Sequence, residues 1–486
     1  MNLLLDIRYV LLPETILTLT ILLCSVLTFL LNNDKQKLIY YVSLFGLFLA
    51  LFSFVYIPVI NEYSAFGNSF ISNYYTVLFR ILILAGSAVT LLLIKKYISN
   101  FKENIGEFYV LILVATLGAM LLTGANDLVM LFIAMETLSL SSYALCGYTK
   151  FNKLSNEAAL KYLIIGAAST AIMLYGFSFL YGITASTNFF DIYRYLTGYG
   201  MNAVLILSFL LILGGFSYKL AAVPFHTWAP DVYQGSPVPV AAFLSVVSKT
   251  AGFAIIIRFM SLIFKNIPVW GFSIAIIAVL TMTIGNLMAI SQSNIKRLMA
   301  YSSIAQSGYI LIGLAIATNA GISSMIFYLI TYLFMNFGVW IAIEIFTNQT
   351  GKDSIEDFNG LAFKRPYFAI GLTICLMSLA GIPLTAGFMG KFYLFQAVIS
   401  AGFQFTWLLI AALINTIISI YYYLRIVKAM FLKPQSVSVE NLKPLKPLNI
   451  IFGFMVVAVI LLGILASPFI SISQFSAKQL IFYNYE

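Results

Sequence analysis

Residues Lys219–Lys249 read KLAAVPFHTWAPDVYQGSPVPVAAFLSVVSK, and the chain is organised around this stretch. An apolar run reaches Lys219 and is interrupted five residues later by Pro224. His226, the only histidine, follows; a segment with Pro, Gly and Asp then leads through Pro237 and Pro239 into a second apolar run that carries Lys249. Hydrocarbon tolerates broken helices and buried lysines only where protein or water surrounds them. A stretch with both features describes a polar site inside a membrane.

The rest of the chain supplies the membrane. Of 486 residues, 61% are hydrophobic and 9% charged, with a mean hydropathy of +0.98. Soluble domains carry about a quarter charged residues, so the fold class is an all-α polytopic membrane protein. The formal charge of +10 comes from basic residues that recur between apolar runs, not from one basic face, which excludes nucleic acid as a partner and fits a lipid bilayer. Cys24, Cys146 and Cys375 lie far apart in apolar runs without metal-ligand spacing, so neither a disulfide framework nor a metal centre is expected. Val10–Leu31 lacks a cationic leader and a small-residue cleavage site and reads as a retained first span.

A span needs about 20 apolar residues. Fourteen candidates follow: 10–31, 38–59, 74–94, 107–124, 128–148, 158–183, 203–223, 238–263, 267–290, 298–318, 321–347, 367–386, 404–432 and 449–471. Segments 224–235 and 387–402 read as second halves of interrupted helices, and Gln474–Glu486 as a short tail with no long surface helix. Connections after odd-numbered spans carry 15 Lys and Arg, against 4 on the other side (Arg8, Arg194, Lys265 and Lys478). The odd connections are therefore expected to face the cytoplasm, with both termini outside.

The two interruptions echo each other. Span 7 breaks at Val223-Pro224-Phe225 just after Lys219, and span 12 breaks across Gly381–Gly387 just before Lys391. Proline lacks the backbone donor and collides with the preceding turn. Breaks five spans apart relate spans 4–8 to spans 9–13, and an odd repeat length inverts the second copy, as in ion-coupled transporters. The expected segments are a three-span start (1–104), a first repeat (105–265), an inverted second repeat (266–432), and a last span with its tail (433–486).

Few charges interrupt the apolar runs. Glu136, within AMETLSLSSY, is either a carboxylate bonded to neighbouring hydroxyls or the partner of Lys219, each tuning the other's proton affinity. Lys219, Lys249 and Lys391 either snorkel to the interface or carry protons. His226 either bonds a backbone carbonyl or joins a relay, for which its ordinary pKa near 6.5 is suited. Glu157 and Lys161 have the spacing of a helical ion pair; the sharper reading is proton uptake from the cytoplasm. Glu14, Arg80 and Arg258 read as structural or inter-subunit contacts. No Walker A, dinucleotide fingerprint, catalytic triad or zinc motif occurs, so the driving energy comes from elsewhere.

Several motifs resemble a known family. AMETLSLSSYALCGYTK (134–150), SNEAALKYLIIGAAS (155–169), the Lys219–Lys249 stretch, KRLMAYSSIAQSGY (296–309) and AGIPLTAGFMGKFYLF (380–395) are similar to the antiporter-like membrane subunits of NADH:quinone oxidoreductase, respiratory complex I. The likeness is specific over roughly residues 105–430. It favours the N-type, since Lys391 stands where sister subunits often have Glu and the lateral helix of the L-type is missing. The resemblance implies fourteen spans, periplasmic termini, and proton translocation driven by quinone reduction in other subunits. By motif position it carries over Glu136 and Lys219 as an ion pair, Lys249 as the central relay and Lys391 as the exit-side lysine. Glu157 and Lys161 match supporting positions, and His226 matches within PFHTWAPDVY.

On this reading the chain itself holds no cofactor, while flavin, iron–sulfur clusters and quinone belong to partner subunits. The implied partners are the M-type antiporter-like subunit and the small K/J/A-type membrane subunits. The implied location is the bacterial cytoplasmic (inner) membrane, or alternatively an organelle or thylakoid membrane. Protons would enter near span 7, reside on Lys219, and pass through water and Lys249 to Lys391. The rival readings are a sodium/proton antiporter subunit without redox coupling, a structural spacer, and an independent nutrient transporter.

Overall fold

A computed structural model describes residues 10–32, 35–57, 62–97, 105–198, 200, 202–264, 269–440, 442 and 446–481. Arg8, Lys102, Lys265 and Lys443 of the charge count lie outside the described residues, as do positions 104, 265 and 266 at two expected segment boundaries.

Among the described residues, thirteen helices are long and apolar enough to cross a membrane. In chain order, spans 1–6 are Leu12–Leu30, Lys37–Tyr56, Tyr74–Lys95, Ile105–Gly124, Leu128–Cys146 and Lys153–Thr184. Spans 7–11 are Ala203–Leu220, Val238–Ile263, Trp270–Ile290, Ile295–Ala315 and Asn319–Thr350. Spans 13 and 14 are Phe403–Leu432 and Pro447–Ile464. The remaining expected span, number 12, is an apolar helix of only 15 residues, Pro366–Ala380, because it is the first half of a broken one. Its second half is Ala386–Ser400, and span 7 resumes as Trp228–Gly235.

Proline chemistry sets where the breaks begin. Pro224 has no N–H to give the carbonyl of Leu220, four residues back, and its ring would strike that carbonyl. Helix 7 accordingly ends at Leu220, with Ala221 in the left-handed region at φ 54°. Pro383 stands in the same relation to Leu379; that helix ends at Ala380, and Gly381 takes φ 89°. Other ends are set by caps. The Asp127 carboxylate accepts from the Val129 and Met130 N–H groups at 2.8 and 3.3 Å to start span 5, and Asn152, Asn294 and Thr318 do the same for spans 6, 10 and 11.

Several elements were not expected from periodicity. Tyr63–Ala65 and Phe70–Ser72 form an antiparallel hairpin, with Tyr63 opposite Ser72. Phe189–Thr197 is a short helix in the connection after span 6. Ala466–Ile481 is a 16-residue helix, which corrects the tail expected after residue 474. Pro468 does not stop it, because N–H groups in a first helical turn have no intrahelical partner to lose.

The chain forms two compact units. The first comprises Met1–Leu220, Gly235–Pro268 and Lys478–Glu486. Span 8 is its buried centre, packed on spans 3, 4 and 7. A π turn, Leu244–Ser248, widens this helix just before Lys249; such turns recur at functional positions. Arg80 on span 3 forms a buried ion pair with Glu14 on span 1 at 3.0 Å and also donates to the Val10 carbonyl. Arg258 donates to Thr76 Oγ1 at 2.7 Å and lies over the Tyr75 ring. The second unit comprises Ala221–Gln234 and Val269–Ala477, with spans 10 and 11 buried at its centre. There Arg297 pairs with Asp231 and bonds Gln234, which ties the Trp228–Gly235 half-helix to span 10.

Removing one member of a buried ion pair costs about 3–5 kcal/mol, because the other is left charged in a dry site. Arg80→Leu is therefore expected to lower the amount of folded protein recovered in the membrane fraction, and Glu14→Leu with Arg80→Met to restore much of it. Equal recovery of the single variant and the wild type would show that this pair does not hold spans 1 and 3.

Candidate functional site at two broken helices

In the first unit, one face of span 5 presents Glu136, Ser139 and Tyr143, spaced one turn apart. Lys219, in the last turn of span 7 and 3% exposed, donates from Nζ to Ser139 Oγ at 3.1 Å. The Ser139 hydroxyl gives its own proton to the Met135 carbonyl at 2.7 Å, so its lone pairs are available to the lysine. Glu136 Oε1 accepts from Thr170 Oγ1 of span 6 at 2.9 Å.

This corrects the direct Glu136–Lys219 ion pair expected above. The ammonium reaches the hydroxyl one turn along the same face, and the Glu136 carboxylate bonds Thr170 instead. Glu136 itself bonds the Thr170 hydroxyl, one turn from the serine that holds Lys219.

Small residues make room for this arrangement. Gly252 of span 8 faces the stem of Lys219, where an added methyl would come within 3.3 Å of Cγ. Gly166 of span 6 faces the Tyr143 and Tyr218 hydroxyls, and Tyr218 donates to the Tyr162 carbonyl at 3.0 Å. Lys249, 2% exposed, lies one turn before Gly252 on the buried helix.

In the second unit the break itself supplies the site. Pro383 leaves the Leu379 carbonyl without its usual partner, and the left-handed turn that follows leaves that of Ala380. Gln306 Nε2 donates to the first and Lys391 Nζ to the second, each at 3.0 Å. Lys391 is 2% exposed, and its ammonium lies over the Tyr309 ring, 4.3 Å from the centroid. A cation at the C-terminal end of a helix also meets the negative end of its dipole. Tyr328 donates to Gln306 Oε1, and Thr416 donates to the Tyr309 hydroxyl, so both supports are themselves held. Gly387 lets the second half-helix return against the first: its N–H bonds Ser378 Oγ at 2.9 Å, and a side chain there would collide with the Ser378 carbonyl.

The other expected residues are placed differently. His226 is half-buried in the turn between the halves of span 7. Glu157 and Lys161 form the anticipated pair at 2.6 Å near the start of span 6, with the Glu157 and Lys161 side chains 54% and 41% exposed. Sequence reasoning passed over Gln306 and Glu344. The Glu344 side chain is fully buried in span 11, bonded by Asn348 at 3.0 Å, with Oε2 lacking a hydrogen-bond partner among the described residues. Its signal was legible: an acid inside GVWIAIEIF interrupts an apolar run as Glu136 does.

The profile of the family described as "NADH:quinone oxidoreductase/Mrp antiporter, TM" matches residues 125–419, a segment that contains all seven candidate residues. The chain belongs to this family. Among curated relatives of this antiporter-type family, it is 45% identical over 485 residues to NAD(P)H-quinone oxidoreductase subunit 2 of Synechococcus sp. (strain JA-3-3Ab), covering 97% of this chain and 92% of that one. It is 42% identical over 479 residues to the chloroplastic subunit 2 of Mesostigma viride, covering 95% of each. Among solved structures it matches a chain of respiratory complex I from Thermus thermophilus, with 31% identity, TM-score 0.79, and 94% and 98% of the two chains covered. A chain of the Mrp complex from Dietzia sp. shares the fold at TM-score 0.82, with 20% identity and 96% and 97% coverage.

Leaving a buried donor or acceptor unpaired costs about 1–3 kcal/mol. Gln306→Leu strips partners from both the Leu379 carbonyl and the Tyr328 hydroxyl. The purified complex is expected to melt earlier with this subunit dissociating first; an unchanged melt of that subunit contradicts the assignment of Gln306 to the break.

Proposed function

We propose that this chain is the N-type antiporter-like subunit of a quinone-reducing complex and translocates protons through its buried lysines. One observation carries the reading: Lys219 and Lys391 are both fully enclosed, and both are held by neutral acceptors, a serine hydroxyl and a backbone carbonyl. A neutral amine still has N–H groups to donate. Each lysine therefore keeps its bond when it releases a proton. Glu136 biases the Lys219 proton from one turn away, so a small movement of span 5 against span 7 changes how tightly that proton is held. Lys249 in the first unit and Lys391 in the second are the next carriers, with His226 and the Glu157–Lys161 pair in supporting roles.

The relatives are named NAD(P)H-quinone oxidoreductase subunit 2; on this reading the flavin, iron–sulfur clusters and quinone are held by partner subunits. The expected membrane partners are an M-type antiporter-like subunit and small K/J/A-type subunits. Relatives in cyanobacteria and a chloroplast support a thylakoid or organelle membrane beside the bacterial inner membrane, and the charge asymmetry supports both termini on the non-cytoplasmic side. The family description also covers Mrp antiporters, so a sodium/proton antiport subunit is the alternative; purification without flavin and iron–sulfur subunits would favour it.

The test uses the intact complex in sealed vesicles, following quinone reduction and proton uptake together. Lys219→Ala is expected to lower proton uptake per quinone reduced several-fold while the subunit still assembles. Glu157→Gln, which removes an exposed pair worth about 0–1 kcal/mol, is expected to change it little. An unchanged ratio in Lys219→Ala sinks the proposal and leaves a structural spacer.

A further inference from the structure

Where span 9 ends at Ile290 and span 13 at Leu432, the second unit opens a cavity of about 860 Å³. Its walls are the Ser291–Ser293 turn, residues of the Ile355–Asn359 connection, and the last turns of span 13. That size suits a ligand site, which typically encloses about 300–1,000 Å³. It lies at the ends of two apolar spans, where a helix that crosses a bilayer meets the headgroups.

The lining carries three cations, Arg425, Lys428 and Lys433, against one acid, Glu356. Nearby acids do not offset them, because Asp353 and Asp357 are paired with Lys296 and Lys352 at 3.2 and 3.6 Å. Arg425 is fixed: its Nη1 donates at 2.7 Å to the Ile290 carbonyl, the last of span 9. Neither Lys428 nor Lys433 has an ion-pair partner among the described residues. Below the cations, one face of span 13 presents Ile417, Tyr421 and Leu424, which are 69%, 60% and 44% exposed. Positions 417, 421 and 424 are stacked, with 425 and 428 continuing the same face (residues three and four apart lie side by side). An apolar stripe thus runs along the helix into a basic cavity.

We propose that this cavity binds an anionic phospholipid, its phosphate held by Arg425, Lys428 and Lys433 and its acyl chains lying along Ile417, Tyr421 and Leu424. Basic pockets at the ends of membrane helices recognise such headgroups through charge, and the stripe distinguishes a lipid from a free anion. The lipid would join the end of span 9, the 355–359 connection and span 13. Span 13 also carries Thr416, which bonds the Tyr309 hydroxyl beneath Lys391. The lipid therefore braces the helix that supports the second lysine site.

The experiment uses the purified complex, stripped of lipid and returned to nanodiscs of phosphatidylcholine containing a minority of phosphatidylglycerol. Phosphatidylglycerol retained through detergent washing is counted by mass spectrometry for wild type, for Lys428→Gln with Lys433→Gln, and for Glu356→Gln. The wild type is expected to keep one phosphatidylglycerol that the double variant loses, with inorganic phosphate unable to displace it. Glu356→Gln, which removes the acid from the cavity, is expected to retain it more tightly and tests the site even where the double variant fails to assemble. Equal retention in all three overturns the proposal. Displacement by inorganic phosphate overturns it in favour of a free-anion site, and a segment of another subunit filling the cavity in the intact complex overturns it in favour of a protein interface.

Discussion

A backbone carbonyl that loses its helical partner inside hydrocarbon must find another, and this structure is arranged around that constraint. Pro383 removes the donor for Leu379, the turn at Gly381 removes the one for Ala380, and Gln306 and Lys391 take their places. The lysine is thus not merely tolerated at depth. It is part of how the broken helix is satisfied, and the broken helix is what keeps the lysine from snorkelling away. Helix 7 follows the same local logic, ending four residues before Pro224 with Lys219 in its last turn.

The two sites differ in what surrounds the ammonium. Lys219 meets a hydroxyl, with a carboxylate one turn farther along the same helix. Lys391 meets a carbonyl and an aromatic face, a setting fixed by backbone geometry and by the support of Thr416 and Tyr309. Around the second site, Asn286 bonds Asn415, and Tyr422 bonds Asn286, so spans 9 and 13 are locked by amides and hydroxyls rather than by ions.

Much of this was legible in the sequence, for identifiable reasons. Hydropathy located the spans because hydrocarbon imposes length, and the i−4 rule for proline located both breaks. Lysines inside apolar runs marked the sites. What escaped was whatever depends on which side chain reaches which. Glu136 and Ser139 share one face, and spacing alone could not decide which of them touches Lys219. Gln306 carries no charge to attract notice in SSIAQSGY, yet it satisfies the break as directly as Lys391 does. The hairpin at Tyr63–Ala65 and Phe70–Ser72 is too short for a period to register, and the helix after Leu465 is polar enough to read as a tail.

The account rests on the proline breaks, and Pro383→Ala tests it most directly. Alanine returns an N–H at position 383 and removes the ring clash, so helix 12 can close onto the Leu379 carbonyl and displace the groups held there. The measurement is protons taken up per quinone reduced by the intact complex in sealed vesicles. The account predicts that the subunit assembles, quinone reduction persists and the ratio falls. An assembled complex that reduces quinone at the wild-type proton ratio would contradict it.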